Sequence, residues 1–194
     1  MEGKTAASFN TPPSAKPLVH TMGSQKYIKP VFAFIIYAVA QALLGKNMVI
    51  GSYAFCFFYV AYLLSLPFEI GRPILMLIAF ALGFSIDTLY DTMGLHISSC
   101  VLMAYLNEPI KQWIQPGGGY EPGMEPTVDS MGFQWVFSYS ILLIFIHHTL
   151  FFFLEASNFA LWRPTLFKIG ASTAFTLAAT LIIRSLGGRS GRAR

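Results

Sequence analysis

Gly83 to Tyr105 reads GFSIDTLYDTMGLHISSCVLMAY, two carboxylates, a histidine and a glycine set inside an otherwise membrane-grade apolar sequence. Just upstream, Pro73 to Ser85 (PILMLIAFALGFS) carries no charge, so Asp87 falls in the last turn or so of a hydrophobic helix. A carboxylate there is costly unless paired, hydrated or near the interface, which marks it as a functional candidate. Asp91 follows four residues later and shares its face if the helix continues that far. Thr92 and Gly94 then open the next apolar run, and a side-chain oxygen of Asp91 or Thr92 is placed to cap it. The pattern predicts two membrane helices joined by a tight turn. Its acids have three open roles: caps in the headgroup region, packing or partner-binding groups, or chemistry and ion handling. If the Asp87 charge meets a cation within the chain, Lys46 and Arg163 are the nearest basic residues on that side.

The rest of the chain has the same character. Over 194 residues it is 55% hydrophobic, 15% aromatic and 11% charged, where soluble domains are about 25% charged. Mean hydropathy is +0.57. Asn47–Phe68 and Ser130–Leu154 contain no Asp, Glu, Lys or Arg, and each exceeds the roughly 20 apolar residues that cross a bilayer. The fold class expected is all-α, a polytopic integral membrane protein in the lipid bilayer with about six transmembrane helices. The formal net charge is +4, but the basic residues gather at the two ends without interleaved aromatics, so they read as orientation signals and not as a nucleic-acid surface. Cys56 and Cys100 lie in apolar segments without metal or redox spacing and read as buried free thiols.

Three regions are expected: a polar tail over residues 1–26, a six-helix membrane domain over 27–187 and a basic tail over 188–194. The first segment starts near Lys29, with Pro30 in its first turn and Gln41 as its one strongly polar member. Asn47–Leu66, rich in Tyr and Phe, is the second. In the third, Ala79, Gly83 and Asp87 fall at four-residue steps, a small-residue ridge that lets a neighbouring helix approach closely. The fourth, Thr92–Trp113, carries Gly94 and His96 near its start, and Asn107 and Glu108 where it returns to water. The Gly117–Gly119 run that follows lacks the strand and the Lys-Ser or Lys-Thr of a phosphate-binding loop. In the fifth, Phe133–Leu154, stand His147 and His148, closed by Glu155; His148 and Glu155 share a face. Together with Asp87 and His96 they are the candidate metal set. Against it, adjacent histidines diverge by about 100° and the HExxH spacing is absent, so interhelical hydrogen bonding is the competing role. Arg163–Leu186 is the sixth, with Ser172, Thr173 and Thr176 able to bond across helices. Six spans put both ends on the side with ten Lys and Arg against three, which makes that side cytoplasmic.

The segments FALGFSIDTLYDTMGLHISSCVLMAYLNEPIKQWIQP, GYEPG and ILLIFIHHTLFFFLEASNF, in this order, resemble the MreD family of rod shape-determining proteins, in particular the form found in Bacteroidetes. The resemblance covers roughly Pro67 to Ile182, and departs from the family form at Asn107-Glu108-Pro109, where Arg-Pro is usual. It implies a non-enzymatic inner-membrane component of the cell-wall elongation machinery, without cofactor or metal. Its implied partners are MreC, the MreB filament, RodA and the class B penicillin-binding protein. It also implies a fold like the six-helix substrate-binding subunits of energy-coupling-factor transporters. A small-ligand or ion-binding transport subunit is therefore the alternative expectation.

Overall fold

A computed structural model describes residues 25–45, 47–121 and 124–188 of the chain. The tails expected over 1–26 and 188–194 lie outside those residues, except where they join the first and last helices. The chain is mostly helical: α1 (Gln25–Leu44), a two-stranded hairpin of β1 (Val49–Ile50) and β2 (Ala54–Phe55), α2 (Phe58–Leu64), α3 (Arg72–Tyr90), α4 (Leu95–Trp113), α5 (Val128–Met131), α6 (Phe133–Ala156) and α7 (Trp162–Gly188), with a 3₁₀ turn at Phe159–Leu161. The strands pair antiparallel, Val49 with Phe55 and Ile50 with Ala54.

Among the described residues, three helical stretches are long and apolar enough to cross a membrane: Arg72–Tyr90, Phe133–Ala156 and Phe159–Ser185. Their outward faces agree with that. On α3, Ile74, Leu77, Phe80 and Phe84 are exposed, while Leu75, Ala79, Leu82, Gly83 and Ile86 on the opposite face are buried. An apolar stripe turned outward at helical spacing is what a hydrocarbon solvent favours and water does not. The chain is a membrane protein.

Helices α3, α4, α6 and α7 pack in succession, each against the next, and α1 packs on α2 and α3. At the centre lies α2, with Tyr59, Val60, Ala61, Tyr62, Leu63 and Leu64 all buried. This is where the structure departs from the expected second helix. Seven residues rise only about 10 Å, and the chain before them is the hairpin and an extended stretch. Pro30 also differs from expectation: it sits inside α1, which begins at Gln25, and not in the first turn.

The irregular stretch leading into α2 has backbone groups that a hydrocarbon environment would leave unpaired, so it must be satisfied from within the protein. Three side chains do this. Ser172 Oγ accepts from Phe55 N–H at 3.0 Å, Thr176 Oγ1 accepts from Phe57 N–H at 3.1 Å, and Gln41 Oε1 accepts from Phe58 N–H at 2.7 Å. Gln41 Nε2 returns a bond to the Cys56 carbonyl at 3.4 Å, and the Ser172 hydroxyl donates to the Tyr53 carbonyl at 3.2 Å. Gln41 of α1 and the Ser/Thr ladder of α7 thus hold a non-helical segment that hydropathy alone reads as a span. Gln41→Leu should lower stability by about 1–3 kcal/mol, the cost of leaving a buried backbone N–H unpaired. An unchanged thermal midpoint in detergent would mean that Phe58 N–H finds another acceptor.

Candidate functional site

Asp87 is the node of the α3–α4 junction. It is buried, yet no ion pair reaches it among the described residues. Its Oδ1 accepts from the Thr92 hydroxyl at 2.5 Å and from His96 N–H at 3.1 Å, and its Oδ2 accepts from Ile97 N–H at 2.9 Å. The two amides are orphan donors of the first turn of α4, and a carboxylate there also opposes the positive end of the helix dipole. So the cap is supplied from one turn inside the preceding helix. Asp91 and Thr92, expected to provide it, do not: Asp91 is exposed and ends α3 in the left-handed region at φ 56°, and Thr92 donates to Asp87. Gly94, at φ 96°, makes the turn that brings α4 back under Asp87, a conformation glycine adopts without the strain a Cβ would add. Arg163, expected as a possible counter-charge, stacks its guanidinium 5.2 Å over the Trp162 ring. Lys46 lies outside the described residues.

The ridge of small residues faces α4 at Gly83. Ala79 is fully buried. A Cβ on Gly83 would lie 2.6 Å from Ile97 Cα, 2.7 Å from Ile97 N and 2.9 Å from the His96 carbonyl carbon. The backbones of α3 and α4 therefore meet at Gly83, one turn before the carboxylate that caps α4.

Beneath the junction runs a buried polar chain. Tyr59 Oη lies 2.7 Å from His96 Nδ1 and 2.9 Å from His147 Nε2, and Cys100 Sγ is 3.9 Å from the same His147 nitrogen. Tyr59 has one proton to share between two imidazoles. His147 Nδ1 is buried and has no hydrogen-bond partner among the described residues, and an unpaired lone pair there is tolerated more readily than an unpaired N–H. This places the His147 proton on Nε2, donating to Tyr59, whose hydroxyl then donates to His96 Nδ1. His96 in turn carries its proton on Nε2. His148 belongs to another element: its Nδ1–H donates to the Ile144 carbonyl at 2.8 Å, and its Nε2 faces Thr176 Oγ1 at 3.1 Å. Thr176 thus joins α6 to the clamp on the irregular segment.

The remaining residues singled out in the sequence lie elsewhere. Glu155 ion-pairs with Lys168 at 3.0 Å. Asn107 and Glu108 sit near the far end of α4, where Asn107 Nδ2 donates to Tyr139 Oη at 2.7 Å and Glu108 pairs with Lys111 at 2.7 Å. Among the described residues, no group of three or more His, Cys, Asp or Glu side chains could hold a metal ion. The set Asp87, His96, His148 and Glu155 fails for a plain reason: each takes a different partner, a helix N-terminus, a tyrosine, a threonine and a lysine. Tyr59, the hub of the buried chain, had no signal of its own among the many aromatics of Tyr53–Tyr62.

Comparison of the chain with protein-family models, with curated proteins and with solved structures finds no match.

Proposed function

We propose that this chain is a non-enzymatic membrane component of the bacterial cell-wall elongation complex, acting in cell-shape determination in the manner of the MreD family. MreC is its direct partner, with the MreB filament, RodA and a class B penicillin-binding protein in the wider assembly. In this reading the chain makes six passes of the inner membrane, the second being the hairpin and α2, with both ends cytoplasmic. Its architecture is then that of the substrate-binding subunits of energy-coupling-factor transporters.

The family resemblance over Pro67–Ile182 motivates the reading. The observation that carries it is how the polar residues are spent. Asp87, Thr92, Tyr59, His96, His148, Thr176, Ser172 and Gln41 each bond a neighbouring element. Such groups fix one arrangement of helices, which is what a scaffold presenting a constant surface to partners needs.

The test is depletion combined with crosslinking in native membranes. Depletion should turn rods into spheres, and the crosslinked protein should recover MreC. Unaltered cell shape, or recovery of a transport ATPase in place of MreC, would sink the proposal.

A further inference from the structure

Between the hairpin, the α3–α4 turn and the C-terminal half of α6 lies a cavity of about 300 Å³, within the range of small-molecule sites. Its walls are rings: Phe55, Phe57, Tyr90, Phe151 and Phe152. They come from four parts of the fold and are mutually braced, with Phe57 and Phe151 centroids 4.9 Å apart at 67° and His96 and Phe151 at 4.7 Å. Two polar groups remain for an occupant. His96 lines the cavity with Nδ1 already engaged by Tyr59, which leaves Nε2–H as a donor. At the half-open rim, Glu155 gives one oxygen to Lys168, and its other oxygen makes no hydrogen bond among the described residues.

A second feature bears on the charge these walls favour. The Lys168 ammonium sits 5.4 Å from the Phe55 centroid and 5.6 Å from the Phe152 centroid while paired with Glu155. Ring faces and a carboxylate at this rim already hold one cation. Aromatic walls attract cations through the ring quadrupole, most strongly where water is excluded.

We propose that this cavity is a binding site for a small planar heteroaromatic cation that carries a hydrogen-bond acceptor. The ring stacks among the phenylalanines, the positive charge faces Glu155, and the acceptor takes the His96 Nε2–H. The site is independent of the role in cell elongation and stands or falls separately.

The probe is 1-methylnicotinamide, a planar pyridinium with a carbonyl acceptor. Benzamide is its neutral counterpart, and tetramethylammonium is a cation without a plane. Binding to the purified full-length protein in detergent is followed by calorimetry and by thermal shift. 1-Methylnicotinamide should bind saturably, about tenfold more tightly than either control, the size expected for a desolvated cation–ring contact. Glu155→Gln should reduce the preference over benzamide to what the ring contact alone supplies. Lys168→Gln should strengthen binding by removing the resident competitor, so the two variants move in opposite directions and a general loss of fold cannot mimic both. No saturable binding at millimolar probe overturns the site. Equal binding of the cation and benzamide, or Lys168→Gln weakening the probe, overturns the assigned ligand class.

Discussion

Replacing Gly83 with leucine should leave little or no folded protein in the membrane, and even Gly83→Ala should lower the thermal midpoint measurably. The reason is what the new atoms would meet. A Cβ at this position would stand 2.6 Å from Ile97 Cα and 2.7 Å from Ile97 N, where carbon contacts rest at about 3.5–4.0 Å. Those neighbours are backbone in the first turn of α4 and have no rotamer by which to yield. The helices must separate by roughly 1 Å to restore ordinary contact. The amides displaced are the ones that Asp87 holds. Overpacking costs about 1–3 kcal/mol, and losing bonds to a buried carboxylate about 1.5–3 kcal/mol more. Against a total stability on the order of 5–15 kcal/mol, that is a large fraction. Ala79→Leu, also buried but two turns from the cap, should cost only the overpacking term. Membrane abundance and detergent melting of Gly83→Ala, Gly83→Leu and Ala79→Leu give the ordering. A Gly83→Ala protein as stable as the parent would mean that α3 and α4 do not approach this closely.

Both positions could be picked out in the sequence because the signal is local: small residues every fourth position leading to an acid at the end of an apolar run. Long uncharged runs revealed the membrane character for the same reason. The second segment could not be read this way. Asn47–Phe68 satisfies any hydropathy criterion, yet its path is decided by acceptors on Gln41, Ser172 and Thr176, the last two more than a hundred residues away in sequence. Nothing within the segment encodes them. The histidines show the same limit. Periodicity puts His148 and Glu155 on one face of α6, but α7 meets that face with a threonine for one and a lysine for the other. Only packing reveals that choice. His147, one residue earlier, turns instead toward Tyr59 and α4. Asn107 and Glu108, read in the sequence as the place where this segment returns to water, stand far from His96, since a 19-residue helix separates its ends by about 28 Å.

Asp87→Asn should destabilise the protein by about 1–2 kcal/mol and Asp87→Ala by about 2–3 kcal/mol, on the scale of bonds to a buried charged acceptor. The sequence suggested two roles for this residue, a cap that tolerates asparagine and a charge that meets a cation. The structure separates the consequence from the cause. Among the described residues, which exclude Lys46, no basic side chain pairs with Asp87. Asparagine nonetheless fails to replace it, because both carboxylate oxygens accept from the helix. Oδ1 takes the Thr92 hydroxyl and His96 N–H, and Oδ2 takes Ile97 N–H at 2.9 Å. An amide oxygen can fill only one of those positions, and its NH₂ then points a donor at a donor. Alanine leaves both amides and the hydroxyl without their acceptor, in a place water reaches poorly. A cap satisfied by one oxygen would show Asn close to wild type and Ala alone damaged, typically by about 0.5–2 kcal/mol. The comparison is made on purified variants by thermal unfolding, with Thr92→Val as a third arm. Removing the hydroxyl should cost less than either change at Asp87, because a methyl in its place leaves both oxygens free for the amides. Asn at full parental stability would show that Ile97 N–H is not held by Oδ2, and that the junction is capped by one oxygen alone.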